Sequence, residues 1–209
     1  MNHLKFLILT LVLFFCVNKS KAQVDHLEPV GGIFDVYSFQ FDYYSSVRKV
    51  LFNGLTDDPE IRFLVMPSFS PENVLDIIKD EEKDKYYIEY HIAEQSIWYS
   101  KNKADVKISK FRKQLSKSSV ELIKNLYRTA ILNSRFIHKE SLGVDGTQYF
   151  FSINDRGLKT GTVWSPGEKS SMRELVEVGY GLIEFVKSDK VEINNDLEER
   201  IRNLIIKLK

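Results

Sequence analysis

The stretch LGVDGTQYFFSINDRGLKTGTVWSP, Leu142 to Pro166, decides the fold class. Two turn signals, Asp145-Gly146 and Asp155-Arg156-Gly157, flank the apolar-aromatic run from Tyr149 to Ile153. A second strand pattern follows from Thr160 to Ser165, in which Thr162 and Trp164 alternate with Gly161 and Val163. Strand, glycine-bearing connection and strand predict a β-hairpin, because glycine takes the positive φ such connections need at no steric cost. The same reasoning predicts a positive φ at the Asp145-Gly146 turn, so that a β-branched residue at 146 would be strained.

Downstream, Pro166 stops the second strand, and Ser171 with Glu174 reads as a capping box opening a helix. Leu175, Val176, Gly179, Leu182, Ile183 and Val186 form an apolar stripe at helical spacing. Gly179 within that stripe weakens the helix and points to close packing against a sheet. Asp196 opens a last amphipathic helix with Leu197, Ile201, Leu204, Ile205 and Leu208 inward. Upstream, Ser118-Ser119-Val120-Glu121 is another capping box, followed by Leu122, Ile123, Leu126, Ile131 and Leu132. Tyr86 to Ala93 alternates with period two and predicts a strand. Its partner across the charged run Lys79 to Lys85 is Val74 to Ile78, with a short helix from Ser70-Pro71-Glu72 as the competing reading. Ile61 to Met66 is a short strand between prolines, and Ile97 to Tyr99 with Val106 to Leu115 continue the meander. Asp42 caps a helix carrying Tyr44, Val47, Val50 and Leu51 that Asn53-Gly54 ends in a left-handed turn, while Ile33 to Phe41 fits strand and helix spacing alike. Strands in a run with helices late in the chain give an α+β domain: an antiparallel sheet of hairpins with helices packed on one face, spanning 33–209.

The N-terminus predicts export. Lys5 is followed by the apolar run Leu7 to Val17, too short for a comfortable membrane span, and Ser20-Lys21-Ala22 sets small residues at −3 and −1 of a cleavage site between Ala22 and Gln23. An uncleaved anchor and a lipidated Cys16 are the alternatives; bulky Phe14-Phe15 stand where a lipidation signal wants small residues. Residues 1–22 are thus a signal peptide, 23–32 a flexible leader broken by Pro29 and Gly31-Gly32, and the destination the periplasm or the exterior. Cleavage removes Lys5, Lys19 and Lys21, so 30 basic residues fall to 27 against 29 acids, a net charge of −2. That balance argues against nucleic acid as the main partner. The chain's one cysteine, Cys16, leaves with the signal, which excludes a thiol nucleophile, a disulfide framework and a thiolate metal site from the mature chain. No second apolar segment is long enough to span a membrane.

Chemistry is thinly signalled. Mature histidines are His26, His91 and His138, with no pair at metal-ligand spacing, and His91 falls on the more polar face of its strand. Ser165, His138 and Asp145 or Asp155 could form a hydrolase triad, yet Trp164-Ser165-Pro166 lacks the glycines of a nucleophile elbow. Ser165 reads better as a strand end satisfying a backbone group. None of the glycines forms a phosphate-binding loop, so no cofactor is called for. Aromatics gather near predicted turns at Trp98, Tyr99, Tyr149 and Trp164, where exposed rings anchor partners; the plainer alternative has both tryptophans capping the end of the sheet core. The expected function is a non-catalytic binding or inhibitor-like protein contacting an envelope protein or a glycan. A small envelope hydrolase is the alternative.

Asp145-Gly146-Thr147-Gln148-Tyr149-Phe150-Phe151-Ser152, followed by Trp164-Ser165-Pro166, resembles a segment recurring in small secreted bacterial proteins, where a helix also follows the Trp-Ser-Pro. The Ala22-Gln23 exit similarly resembles signal peptides of secreted Gram-negative proteins. The resemblance implies a fold and an exported destination, and assigns no activity to any residue.

Overall fold

The computed structural model describes residues 25–30, 41–136 and 145–209. The expected signal peptide at residues 1–22, most of Ile33 to Phe41 and His138 lie outside the described residues. Seven strands form one antiparallel sheet: β1 (Glu28–Val30), β2 (Ile61–Pro67), β3 (Asn73–Asp80), β4 (Lys85–Ala93), β5 (Ile108–Leu115), β6 (Thr147–Asn154) and β7 (Leu158–Trp164), in the order β1-β7-β6-β2-β3-β4-β5. Four helices accompany them among the described residues: α1 (Phe41–Leu51), α2 (Lys117–Leu132), α3 (Ser171–Lys187) and α4 (Asn195–Lys207). The chain is an α+β protein.

The strands carry their core by alternation. Ile61, Phe63 and Val65 of β2, Leu75 and Ile77 of β3, Ile88 and Tyr90 of β4, and Tyr149, Phe151 and Ile153 of β6 point to one face and join α2, α3 and α4 in the main core. Val47 and Leu51 of α1 close the opposite face with Leu64, Met66, Val74, Ala93 and Phe150. Three helices, both C-terminal ones among them, thus share one face, and the first helix covers the other. Period-two patterning predicts one buried face, whereas strands with helices on both sides bury both: Ile61 to Met66 is buried residue after residue.

β6 and β7 pair from Gln148↔Trp164 to Asn154↔Leu158 around Asp155-Arg156-Gly157, with Arg156 at φ 58° and Gly157 at φ 113°. Gly157 therefore supplies the positive φ expected of it. Gly146 does not. A Cβ there would stand 2.4 Å from Ser165 Oγ and 2.8 Å from Trp164 Nε1, so this position needs glycine for close approach. The two ends of the Asp-Gly-Thr … Trp-Ser-Pro segment meet in space: Thr147 N–H donates to Ser165 Oγ at 2.8 Å, and Ser165 N–H to Thr147 O at 2.9 Å. Those two bonds hold Ser165 at φ 35°, a conformation side chains rarely adopt.

Other expectations shift. Val74 to Ile78 is strand, within β3, and the helix start at Ser70-Pro71-Glu72 does not form because the Glu72 carboxylate is drawn inside. Ile97 to Tyr99 is a turn rather than a strand. Each late helix begins earlier than its expected box: Ser116, Ser170 and Asn194 are the N-caps, accepting from Ser119, Arg173 and Leu197 N–H. An N-cap needs an oxygen three residues before a free N–H, and neighbouring Ser and Asn residues compete for that place. The leader expected through Gly32 instead contributes the edge strand β1, with Pro29 opposite Gly161 and Leu27 fully buried. Proline fits there because an edge leaves one side of the backbone without a partner. Gly161 leaves the room that Leu27 fills, since a Cβ at 161 would lie 2.9 Å from Leu27 Cβ. Gly179 of α3 lies against Phe63, where a Cβ would come within 2.4 Å of the ring, which is the close packing its place in the stripe foretold.

Candidate functional site

At one end of the sheet the β2–β3 turn, the β4–β5 loop and the N-terminus of α1 come together around a buried carboxylate. Glu72, just before β3, is fully buried. Its Oε1 accepts from Tyr43 Oη at 2.8 Å and from Trp98 N–H at 3.2 Å, and its Oε2 accepts from Ile97 N–H at 2.8 Å. Ser96 Oγ lies 3.5 Å from Oε1. A buried carboxylate costs much unless hydrogen bonds replace its water, and here donors from α1 and from the loop do so. Burial, reinforced by the Glu72 charge, raises the Tyr43 hydroxyl far above the ordinary tyrosine range, so Tyr43 stays a donor.

The loop so pinned presents aromatics outward. Trp98 stands edge-on to Tyr43 at 4.8 Å between ring centroids and keeps 41% of its surface exposed, while Tyr99 keeps 61%. Lys103 Nζ donates to Trp98 O at 3.3 Å and Ser100 O at 3.4 Å, closing the loop on itself. Phe69 of the β2–β3 turn and Phe41 at the start of α1 are exposed at the same end. Neither they nor Glu72 stood out in the sequence: Ser-Phe-Ser-Pro reads as a turn, and an acid beside a proline reads as a helix start.

The four aromatics singled out from sequence separate. Trp98 and Tyr99 share the pinned loop. Trp164 is 39% exposed at the same end of the sheet, but four strand spacings away, about 19 Å. Tyr149 is buried on the three-helix face, stacked 6.1 Å from Phe63 and edge-on to Tyr180.

Of the hydrolase constellation, His138 lies outside the described residues. Ser165 Oγ accepts from Thr147 N–H, Asp145 directly precedes Gly146, whose backbone lies against Ser165, and Asp155 sits in the hairpin at the far end of β6 and β7. His91 is buried rather than exposed, because α1 covers that face; its Nδ1–H donates to Leu51 O at 2.9 Å. Burial, helped by the nearby Lys110 ammonium, lowers the His91 imidazole below its usual range. Next to it, Arg62 Nε and Nη2 donate to both oxygens of Asp76 at 2.7 and 2.6 Å, Nη2 also reaches Thr56 O at 2.7 Å, and the Phe52 ring lies 4.4 Å from the guanidinium carbon. That arrangement turns the guanidinium inward onto the Asp76 carboxylate and the Thr56 carbonyl. Among the described residues no group of His, Asp and Glu is placed to hold a metal ion, and no helix is long and apolar enough to cross a membrane.

No protein-family model matches the chain, and no curated protein or solved structure shows significant similarity to it.

Proposed function

We propose that this chain is an exported, non-catalytic binding protein that takes an envelope protein or a glycan at the aromatic end of its sheet. The observation that carries the reading is the loop at Ser96 to Tyr99, whose backbone is fixed by the buried Glu72 carboxylate while Trp98 and Tyr99 face solvent. Rings on a rigid support lose little conformational freedom on binding, which is what concentrates affinity in a few aromatic anchors. Export rests on the apolar run Leu7 to Val17 and the Ser20-Lys21-Ala22 exit.

The test is affinity capture from envelope extracts and binding to immobilised glycans, with circular dichroism as the control of folding. Trp98→Ala is expected to keep the fold and weaken capture by about thirtyfold, the scale of an anchor residue. Glu72→Gln, which leaves the rings in place and loosens their support, is expected to weaken capture by a smaller factor. Unchanged capture by both variants overturns the reading. A turnover lost in Ser165→Ala would put the hydrolase in its place.

A further inference from the structure

β5 is the long open edge of the sheet. Among the described residues it pairs only with β4, and the opposite edge is the three-residue β1 with its proline. Which backbone groups of β5 face outward follows from two hydrogen bonds. Glu94 N–H donates to Lys107 O at 2.9 Å, so Glu94 and Lys107 form a hydrogen-bonded pair, and Ala93 N–H turns the other way to Glu72 O at 3.0 Å. Hydrogen-bonded and non-bonded pairs alternate along an antiparallel ladder. Ser109, Phe111, Lys113 and Leu115 therefore bond β4, while Ile108, Lys110, Arg112 and Gln114 aim their N–H and C=O groups away from the sheet.

The same segment is the most basic in the chain. From Val106 to Lys117 it holds Lys107, Lys110, Arg112, Lys113 and Lys117 and no acid. Lys113 is occupied: its ammonium donates to Phe185, Ser188 and Lys190 carbonyls at the end of α3. Arg112 shares its charge with Glu89 at 3.1 Å and lies over Tyr87. Lys110 donates to a neutral carbonyl, Asn53 O at 2.6 Å, which leaves its charge unbalanced. Lys110 and Arg112 thus carry both outward backbone groups and basic side chains on one face of the strand. Between them, on the other face, Phe111 is exposed with its ring 6.0 Å from Tyr90.

We infer that β5 is a docking edge for an extended acidic segment of a partner protein, which adds antiparallel as an eighth strand with acids opposite Lys110 and Arg112 and an apolar residue opposite Phe111. Backbone pairing supplies affinity, and the alternate side chains supply the choice of partner. A second copy of this chain is refused at the same edge, because like charges would stand opposite each other. The inference concerns a different surface from the Trp98–Tyr99 loop and holds whether or not that loop binds.

The probe is a fluorescein-labelled heptapeptide of three glutamates alternating with two valines, with a threonine at each end, titrated against the mature protein by fluorescence anisotropy. Binding is expected, and the double variant Lys110→Gln/Arg112→Gln, checked for folding by circular dichroism, is expected to weaken it about tenfold or more, with the residue falling further as salt rises. Methylating the glutamate amide nitrogens keeps the charge and removes the donors that face β5, and this peptide is expected to bind at least about tenfold less well. Equal binding of the methylated peptide would reduce the edge to an unstructured charge patch and overturn the inference. So would equal affinity for a single-stranded oligothymidylate, no binding of the acidic peptide to the folded protein, or unchanged binding by the double variant.

Discussion

The two faces of the sheet are closed by different physics. Toward α2, α3 and α4 the strands send Ile61, Phe63, Leu75, Ile77, Ile88 and Phe151, and the contact is apolar and aromatic, with Phe63 tilted 5.0 Å from Phe151 and Tyr127 edge-on to Phe151 at 5.4 Å. Toward α1 the same strands send Arg62, Asp76, Glu89 and His91 among their apolar residues, and a polar row crosses the sheet at Thr160, Ser152, Arg62, Asp76, Glu89 and Arg112. Ser152 and Thr160 bond each other at 2.9 Å, and Arg62 with Asp76 forms a two-pronged ion pair. An apolar face tolerates any filling of the right volume, whereas a polar row is satisfied in one register only. The α1 face therefore fixes how the strands align, and the three-helix face supplies most of the apolar burial.

The largest effect should come from splitting the ion pair. Asp76→Ala leaves the Arg62 guanidinium buried without its acid and is expected to cost about 3–5 kcal/mol in urea unfolding, while the double replacement Arg62→Met/Asp76→Leu should recover most of that loss. If the double variant is as unstable as the single one, the row does more than neutralise itself. Burial pushes the Asp76 carboxyl up against the opposing pull of Arg62, so through this group alone the native state gains on the unfolded chain as pH falls and loses that gain as pH rises.

The apolar face offers the converse experiment. Tyr127 is fully buried in it, and its hydroxyl has no hydrogen-bond partner among the described residues. Tyr127→Phe is expected to raise stability by about 1 kcal/mol, because an unsatisfied buried hydroxyl is removed without loss of packing. A loss of stability in thermal unfolding would show that the hydroxyl has a partner, and that this face too depends on polar contacts.

The smallest effect is a slope. His91 has a lowered folded pKa, chiefly through burial, so as pH falls below the ordinary histidine value of about 6.5 the unfolded chain takes up a proton before the native one does. Its contribution to stability is complete above that value and is lost as pH falls toward the folded pKa. Comparing His91→Asn with the parent between about pH 7 and pH 5 should show a flatter stability profile in the variant. Equal slopes would place the acid sensitivity elsewhere.

The contrast between faces also explains what sequence patterning could reach. Tyr86 to Ala93, the 147–165 hairpin and the stripes of α3 and α4 were legible because their burial follows a period of two or 3.6. Alternation marks His91 as outward, and the packing of α1 on that side of the sheet, which no local pattern specifies, turns outward into buried. Glu72 was illegible for a related reason: what makes it a support for Trp98 is a set of donors from Tyr43 and the Ile97–Trp98 backbone, far away along the chain. Trp98 and Tyr99 could be suspected from their place near a turn. Phe69 could not, since it is a single aromatic in a plain local setting, and Phe41 could not because it ends an aromatic-rich run that fits strand and helix spacing alike.

The order of the strands carries a consequence for how the molecule comes into being. β2 to β5 are consecutive neighbours and close by short connections, as do β6 and β7, but the seam between these two pieces joins Phe63 to Phe151. β1, the first described strand, reaches past both pieces to Thr160 through Thr162. Contacts so distant along the chain form slowly, because the loop between them must be gathered before any of its entropy cost is returned. Until β6 is made, β2 has one bare side lined by Phe63 and Val65, and until β7 is made Leu27 has no Gly161 to settle against. On the proposed export, a chain translocated from its N-terminus would therefore cross almost whole before it could assemble.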